Sequence, residues 1–132
     1  MNIDLRSGAS LKEQIVNSVK KDIAAGIYKS GDKIPTIREV AKMFGINPIT
    51  VGNAYEELTM AGIIFSAVGR GSFVSDGDAA MNYITAEAKK KFVVSTENAV
   101  TKGVPPDELR AELESAIVKY ENTKGTTAND KP

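Results

Sequence analysis

The chain of 132 residues contains no cysteine and no histidine. Without cysteine there are no disulfides and no thiolate metal sites. Without histidine, the commonest general base and the commonest transition-metal ligand are both missing. A G-x-x-x-x-G-K-[ST] phosphate loop is absent too. An enzyme would have to rely on carboxylates, lysine, serine or tyrosine, and no constellation of these stands out. The expectation is no catalytic residue, no cofactor and no metal.

Long apolar runs are also lacking. None approaches the roughly 18–20 residues that a bilayer span needs. The opening Met1-Asn-Ile-Asp-Leu-Arg6 carries an acid early and has no apolar core of the kind a signal peptide has. A cytoplasmic protein without a membrane partner is expected. Excess charge of either sign is missing as well, with 17 basic and 17 acidic residues. That argues against a protein that coats nucleic acid through bulk charge, but a few well-placed cations suffice for a specific binder. With 42% hydrophobic residues, a packed core is expected. The length suits one domain, or a small domain with an accessory element.

The residues that are present carry dense local punctuation. Ser10 and Glu13 form an S-x-x-E capping box that opens a helix over about Leu11 to Ala25. Leu11, Ile15, Val19, Ile23 and Ile27 give it one apolar stripe, and Gly26 is its stop. Tyr28 to Lys33 reads as a turn. A second helix follows Pro35, with Thr36 and Glu39 as its capping box and Gly45 at its end. Asn47 is the N-cap of a third helix and Pro48 its first residue, where the missing N–H costs nothing. Val51, Ala54, Tyr55 and Leu58 line its inner face, and Gly62 ends it. Two helices joined by a short glycine turn match helix-turn-helix geometry. Ile63 to Phe65 and Ser72 to Val74 read as two short strands joined across Gly69-Arg70-Gly71, a small β-hairpin or wing.

Asp76-Gly-Asp78 marks a boundary. Beyond it, Ala79 to Thr101 reads as a long helix with Met81, Ile84, Ala88, Phe92, Ala99 and Val100 on an imperfect stripe. Gly103 to Pro106 breaks the chain, and a last helix spans about Asp107 to Glu121. Two such helices cannot bury their stripes alone. The fold class expected is therefore mostly α with a small β-hairpin. It comprises a winged helix-turn-helix domain (residues 1–77), a helical hairpin for dimerisation (78–123) and a flexible tail (124–132).

The run Gln14, Gly26, Gly31-Asp-Lys-Ile-Pro-Thr-Ile-Arg38, Ala41, Gly45-Ile-Asn-Pro-Ile-Thr-Val51, Ala54, Tyr55, Leu58, Gly62 and Gly69-Arg-Gly-Ser-Phe-Val74 resembles the DNA-binding domain of GntR-family bacterial transcription regulators. The Asn47-Pro48-x-Thr50-Val51 form and the short C-terminal region are similar to the YtrA-type subfamily. That resemblance implies a homodimeric repressor with no large effector domain, often controlling a transporter operon. The chain departs from the pattern at Ile49 and Gly52, which offer no side-chain donor where polar residues are usual.

The partner expected is double-stranded operator DNA, with the third helix in the major groove. Asn53 is placed to read adenine, or is a polar surface residue. Thr50 can bond a phosphate or touch a thymine methyl. Ile49 offers an apolar thymine contact, Asn47 is a cap with a secondary phosphate role, and Thr36 is a cap first and a phosphate donor second. Arg38 sits in a first helical turn, where a cation opposes the helix dipole. It pairs either with phosphate or guanine, or with Glu39 or Glu57. Arg70, between Gly69 and Gly71, is placed to enter a minor groove, whose negative potential attracts arginine. Gly69 and Gly71 permit the tight hairpin and a close backbone approach. Gly52 either lets the helix approach DNA closely or is a tolerated substitution. Lys89 to Lys91 read as a solvated face, and Lys12, Lys33 and Lys42 as weak phosphate candidates. Up to Asp78 there are nine basic and nine acidic residues, so affinity must come from placement. A winged-helix protein–protein docking module is the alternative. A small-molecule effector is unknown.

Overall fold

The computed structural model describes residues 1–129, with side chains to residue 122. Its elements follow from the caps. The Ser10 hydroxyl accepts the Glu13 N–H at 3.1 Å, and α1 (Leu11–Ala24) begins there. The Thr36 hydroxyl accepts the Glu39 N–H at 3.1 Å and opens α2 (Ile37–Phe44). Gly45 closes α2 with φ 64°, a left-handed conformation that turns the chain sharply into the next helix. The Asn47 side chain accepts the Ile49 N–H at 2.9 Å, and α3 (Pro48–Met60) starts with Pro48 in its first turn.

The sheet has three strands, one more than the expected hairpin. β1 (Lys33–Ile34) pairs antiparallel with β3 (Gly71–Val74), which also pairs with β2 (Ile64–Ala67). Lys33 therefore leaves the turn expected for it and becomes a strand residue opposite Phe73. Ile63, expected in the first wing strand, instead lies buried just before β2. The wing is stiffened by Phe65 and Phe73, which face each other across the strands with ring centroids 5.5 Å apart. Such a cross-strand pair contributes on the order of 0.5–1 kcal/mol.

The core lies where the inner faces of α1, α2 and α3 meet the sheet. Ile15, Val19, Val40, Val51, Leu58 and Ile64 are among its buried members. A first compact unit runs from Met1 to Ala88, past the Asp76-Gly-Asp78 turn. It does so because Ala80 is buried in this core and Ile84 packs against it. Both belong to α4 (Ala79–Thr101), which has the bounds expected from the sequence.

The second unit begins at Lys89 with the remainder of α4 and contains α5 (Pro106–Asn129). Phe92, Val94, Val100, Leu113, Ile117 and Tyr120 are exposed in it. The helix expected to stop near Glu121 continues to Asn129, so most of the expected tail has helical backbone; residues 130–132 lie outside the described residues. Propagation of a formed helix adds one hydrogen bond for each residue fixed, which favours continuation past a weakly helical composition. Among the described residues, no helix is long and apolar enough to cross a membrane.

Candidate nucleic-acid interface

The wing and the start of α2 form the two walls of one groove of about 520 Å³. Thr36 and Arg38 line it from α2, Gly69, Arg70 and Gly71 from the wing, and Lys33 from β1. Six residues singled out in the sequence thus share one surface, Lys33 among them as a weak candidate. None of the residues lining it is acidic. Arg38 forms no ion pair among the described residues; Glu57, one of its candidate partners, is held instead by Lys12 at 3.2 Å. A helix N-terminus adds its own positive partial charge to these side chains.

The wing turn is closed by the Arg70 N–H, which donates to the Ala67 carbonyl at 2.9 Å. Arg70 and Val68 stand exposed on this turn. Below it, the Val74 N–H donates to the Asp32 carbonyl and the Gly31 N–H to the Val74 carbonyl, so the wing is tied to the segment leading into α2.

α3 is linked to the same segment by Tyr55, whose buried hydroxyl donates to the Pro35 carbonyl, one residue before the Thr36 cap. Burial foremost, then the nearby Tyr28 and Glu39, push the Tyr55 pKa well above its usual value. The hydroxyl therefore stays protonated and keeps donating. Through this bond the inner face of α3 and the cationic start of α2 are positioned by one another.

The outer face of α3 is different in character. Ile49, Asn53, Glu56 and Met60 follow at i, i+4, i+7 and i+11 and are all exposed. Asn53 does not join Arg38 and Arg70. It lines a second groove of about 730 Å³, together with Lys12, Glu56 and Glu57. Thr50 is half-buried, while Asn47 and Pro48 are exposed at the helix start. The side chain that sequence reasoning undervalued is Lys33. Its only signal was that of a weak phosphate candidate, shared with Lys12 and Lys42, and nothing in the spacing places it beside the wing.

Gly52 has open space around it. A Cβ built on it meets nothing within 4 Å, and its backbone is ordinary helix. Its own fold does not require glycine there. Gly52→Ala is therefore expected to raise the unfolding free energy by about 1 kcal/mol, the usual helix-propensity difference. A urea titration with an unchanged slope and a higher midpoint checks this. An unchanged or lower midpoint would contradict it.

Two helices joined by a tight turn, followed by a short sheet whose wing stands beside them, define a winged helix-turn-helix protein. The family described as bacterial regulatory proteins, gntR family, matches residues 11–74. The HTH-type transcriptional repressor YtrA of Bacillus subtilis is 43% identical over 76 residues, which is 58% of this chain and 58% of that protein. The HTH-type transcriptional regulator Rv1152 of Mycobacterium tuberculosis is 30% identical over 102 residues, covering 77% of this chain and 84% of its own length. Among solved structures, a transcriptional antiterminator from Listeria monocytogenes superposes with a TM-score of 0.67 at 29% identity, covering 88% of each chain. The chain belongs to the GntR family of bacterial transcription regulators. The family and the chain's relatives are regulators rather than enzymes.

Proposed function

We propose that this chain is a homodimeric, sequence-specific repressor that binds a pseudo-palindromic operator in the bacterial cytoplasm. The observation that carries this reading is the groove between wing and α2, where Lys33, Arg38 and Arg70 converge without a lining carboxylate. Cations left without intramolecular partners beside a helix N-terminus suit phosphate oxygens. α3 would enter the major groove with Ile49, Thr50 and Asn53, while Arg70 on the wing reaches the minor groove. The subfamily resemblance implies a transporter operon as the target. The exposed apolar side chains of the second unit supply a face for a second copy, which gives the two half-sites of a two-fold operator.

Protection footprinting on the DNA upstream of the protein's own gene tests this directly. The expected result is two protected half-sites and an affinity whose log–log salt slope is roughly −5, from about three phosphates per subunit. Arg38→Ala should weaken binding to all sequences alike, and Asn53→Ala should change base preference by about 1–3 kcal/mol at one position. If both variants bind the operator as the parent does, the site assignment is wrong.

A second reading has one observation in its favour. Ile49 is 71% exposed and Met60 82% exposed on the outer face of α3, and Glu56 stands between them. An apolar and acidic helix face suits a protein partner better than a phosphate backbone. A docking module would show no protected site and no specific shift at any salt concentration.

A further inference from the structure

We infer that Lys33 is a phosphate-binding residue of the wing groove, delivered there by a stem that lies across Gly71. This inference rests on the operator-binding reading above and gives one of its three cations a defined position and role. β1 is only two residues long, and its two side chains leave opposite faces of the strand. Ile34 is buried in the core, so Lys33 faces away from it. The pairing of Lys33 with Phe73 brings it diagonally beside Gly71 on the next strand.

The contact there is tight. A Cβ placed on Gly71 would stand 3.0 Å from the Lys33 Cε and 3.7 Å from its Nζ. Gly71 also has φ 116°, where a side chain is strained in any case. The backbone conformation alone calls for glycine, and the lysine stem passes over the surface this leaves open. Gly71 is expected from the sequence to permit the tight hairpin and a close backbone approach; in the fold the Lys33 stem lies beside it.

The ammonium group delivered in this way lines the same groove as Arg38, Arg70 and the Thr36 cap. Lys33 forms no ion pair among the described residues, and no acidic residue lines the groove. Two arginines and a lysine without carboxylates repel one another, and an anion in the groove relieves that repulsion. A backbone phosphate meets the requirement, because it accepts from several donors at once. Lys33 then links the wing strand to the helix that the wing faces.

Lys33→Met tests this, because it keeps an unbranched apolar stem over Gly71 and removes the charge. Binding of the full chain to operator DNA, and to unrelated duplex, is measured by fluorescence anisotropy from 0.05 to 0.3 M salt. One lost phosphate contact per subunit should lower the magnitude of the dimer's slope by about 1.8. Affinity at ~0.15 M salt should fall roughly 30-fold on both DNAs, while the thermal midpoint stays that of the parent. Lys33→Arg should retain most of the affinity. If Lys33→Met leaves slope and affinity unchanged while the parent binds normally, the Lys33 assignment falls and the regulator reading stands. If the parent itself shows no salt-dependent binding to either DNA, both fall together.

Discussion

Replacing Leu113 and Ile117 together by glutamate is expected to break the proposed dimer into monomers and to weaken operator binding by at least about a hundredfold. The two residues are one helical turn apart on α5, within the second unit, and both are exposed together with Phe92, Val94 and Tyr120. Several large apolar side chains left exposed within one unit favour a partner that covers them. Carboxylates at two of these positions would have to be desolvated in any dimer that used this face, at several kcal/mol each. The DNA effect is larger than the loss of one contact would give. A dimer binds its second half-site at an effective concentration set by the tether, which raises affinity by about 10²–10⁴ over a single half-site. Sedimentation equilibrium gives the assembly state, and anisotropy on a two-half-site operator gives the affinity. A variant that stays dimeric at micromolar concentration and binds as the parent does would place the dimer interface elsewhere. The first unit should be unaffected, since its core lies within Met1–Ala88.

The second large effect is expected at Leu58. Leu58→Ala should lower the unfolding free energy by about 3–5 kcal/mol, the range for removing a large aliphatic side chain from a packed core. The residue is fully buried on α3, at 0% exposure. It belongs to the same buried core as Ile15, Val51, Ile63 and Ile64. A loss of that size is a large part of the roughly 5–15 kcal/mol available to a small domain. Met60, two positions along the same helix, faces solvent, and Met60→Ala should change stability by no more than about 0.5 kcal/mol. Urea unfolding of both variants, at equal protein concentration so that the proposed dimerisation contributes equally, reads the contrast. Equal midpoints for the two variants would mean that α3 does not seat Leu58 in the core.

Leu58 also shows how far local pattern reaches. Val51, Ala54, Tyr55 and Leu58 recur at helical spacing, and all of them are buried as that spacing predicts. The capping hydroxyls of Ser10 and Thr36 and the amide of Asn47 each accept the expected N–H or its neighbour. These features lie within a few residues of one another, so short-range chemistry specifies them. Three helices and their turn were legible for that reason, as were the bounds of α4. β1 was not, because a strand of two residues carries no period of its own.

The amino-acid sequence by itself therefore determined the helix-turn-helix, the wing hairpin and the apolar stripes of the last two helices. Only the tertiary structure decided which cations stand free. Lys12, equal to Lys33 in sequence terms, is held by Glu57, whereas Arg38 and Lys33 are left facing the wing groove. It likewise decided that Asn53 lines a different groove from Arg70. The physical reason is the distance along the chain over which each feature is encoded. A cap or a stripe is set by neighbours a few residues away. The Lys33–Phe73 pairing and the Lys12–Glu57 ion pair join segments about 40 residues apart, and they exist only once α1, α2, α3 and the sheet have closed on a common core.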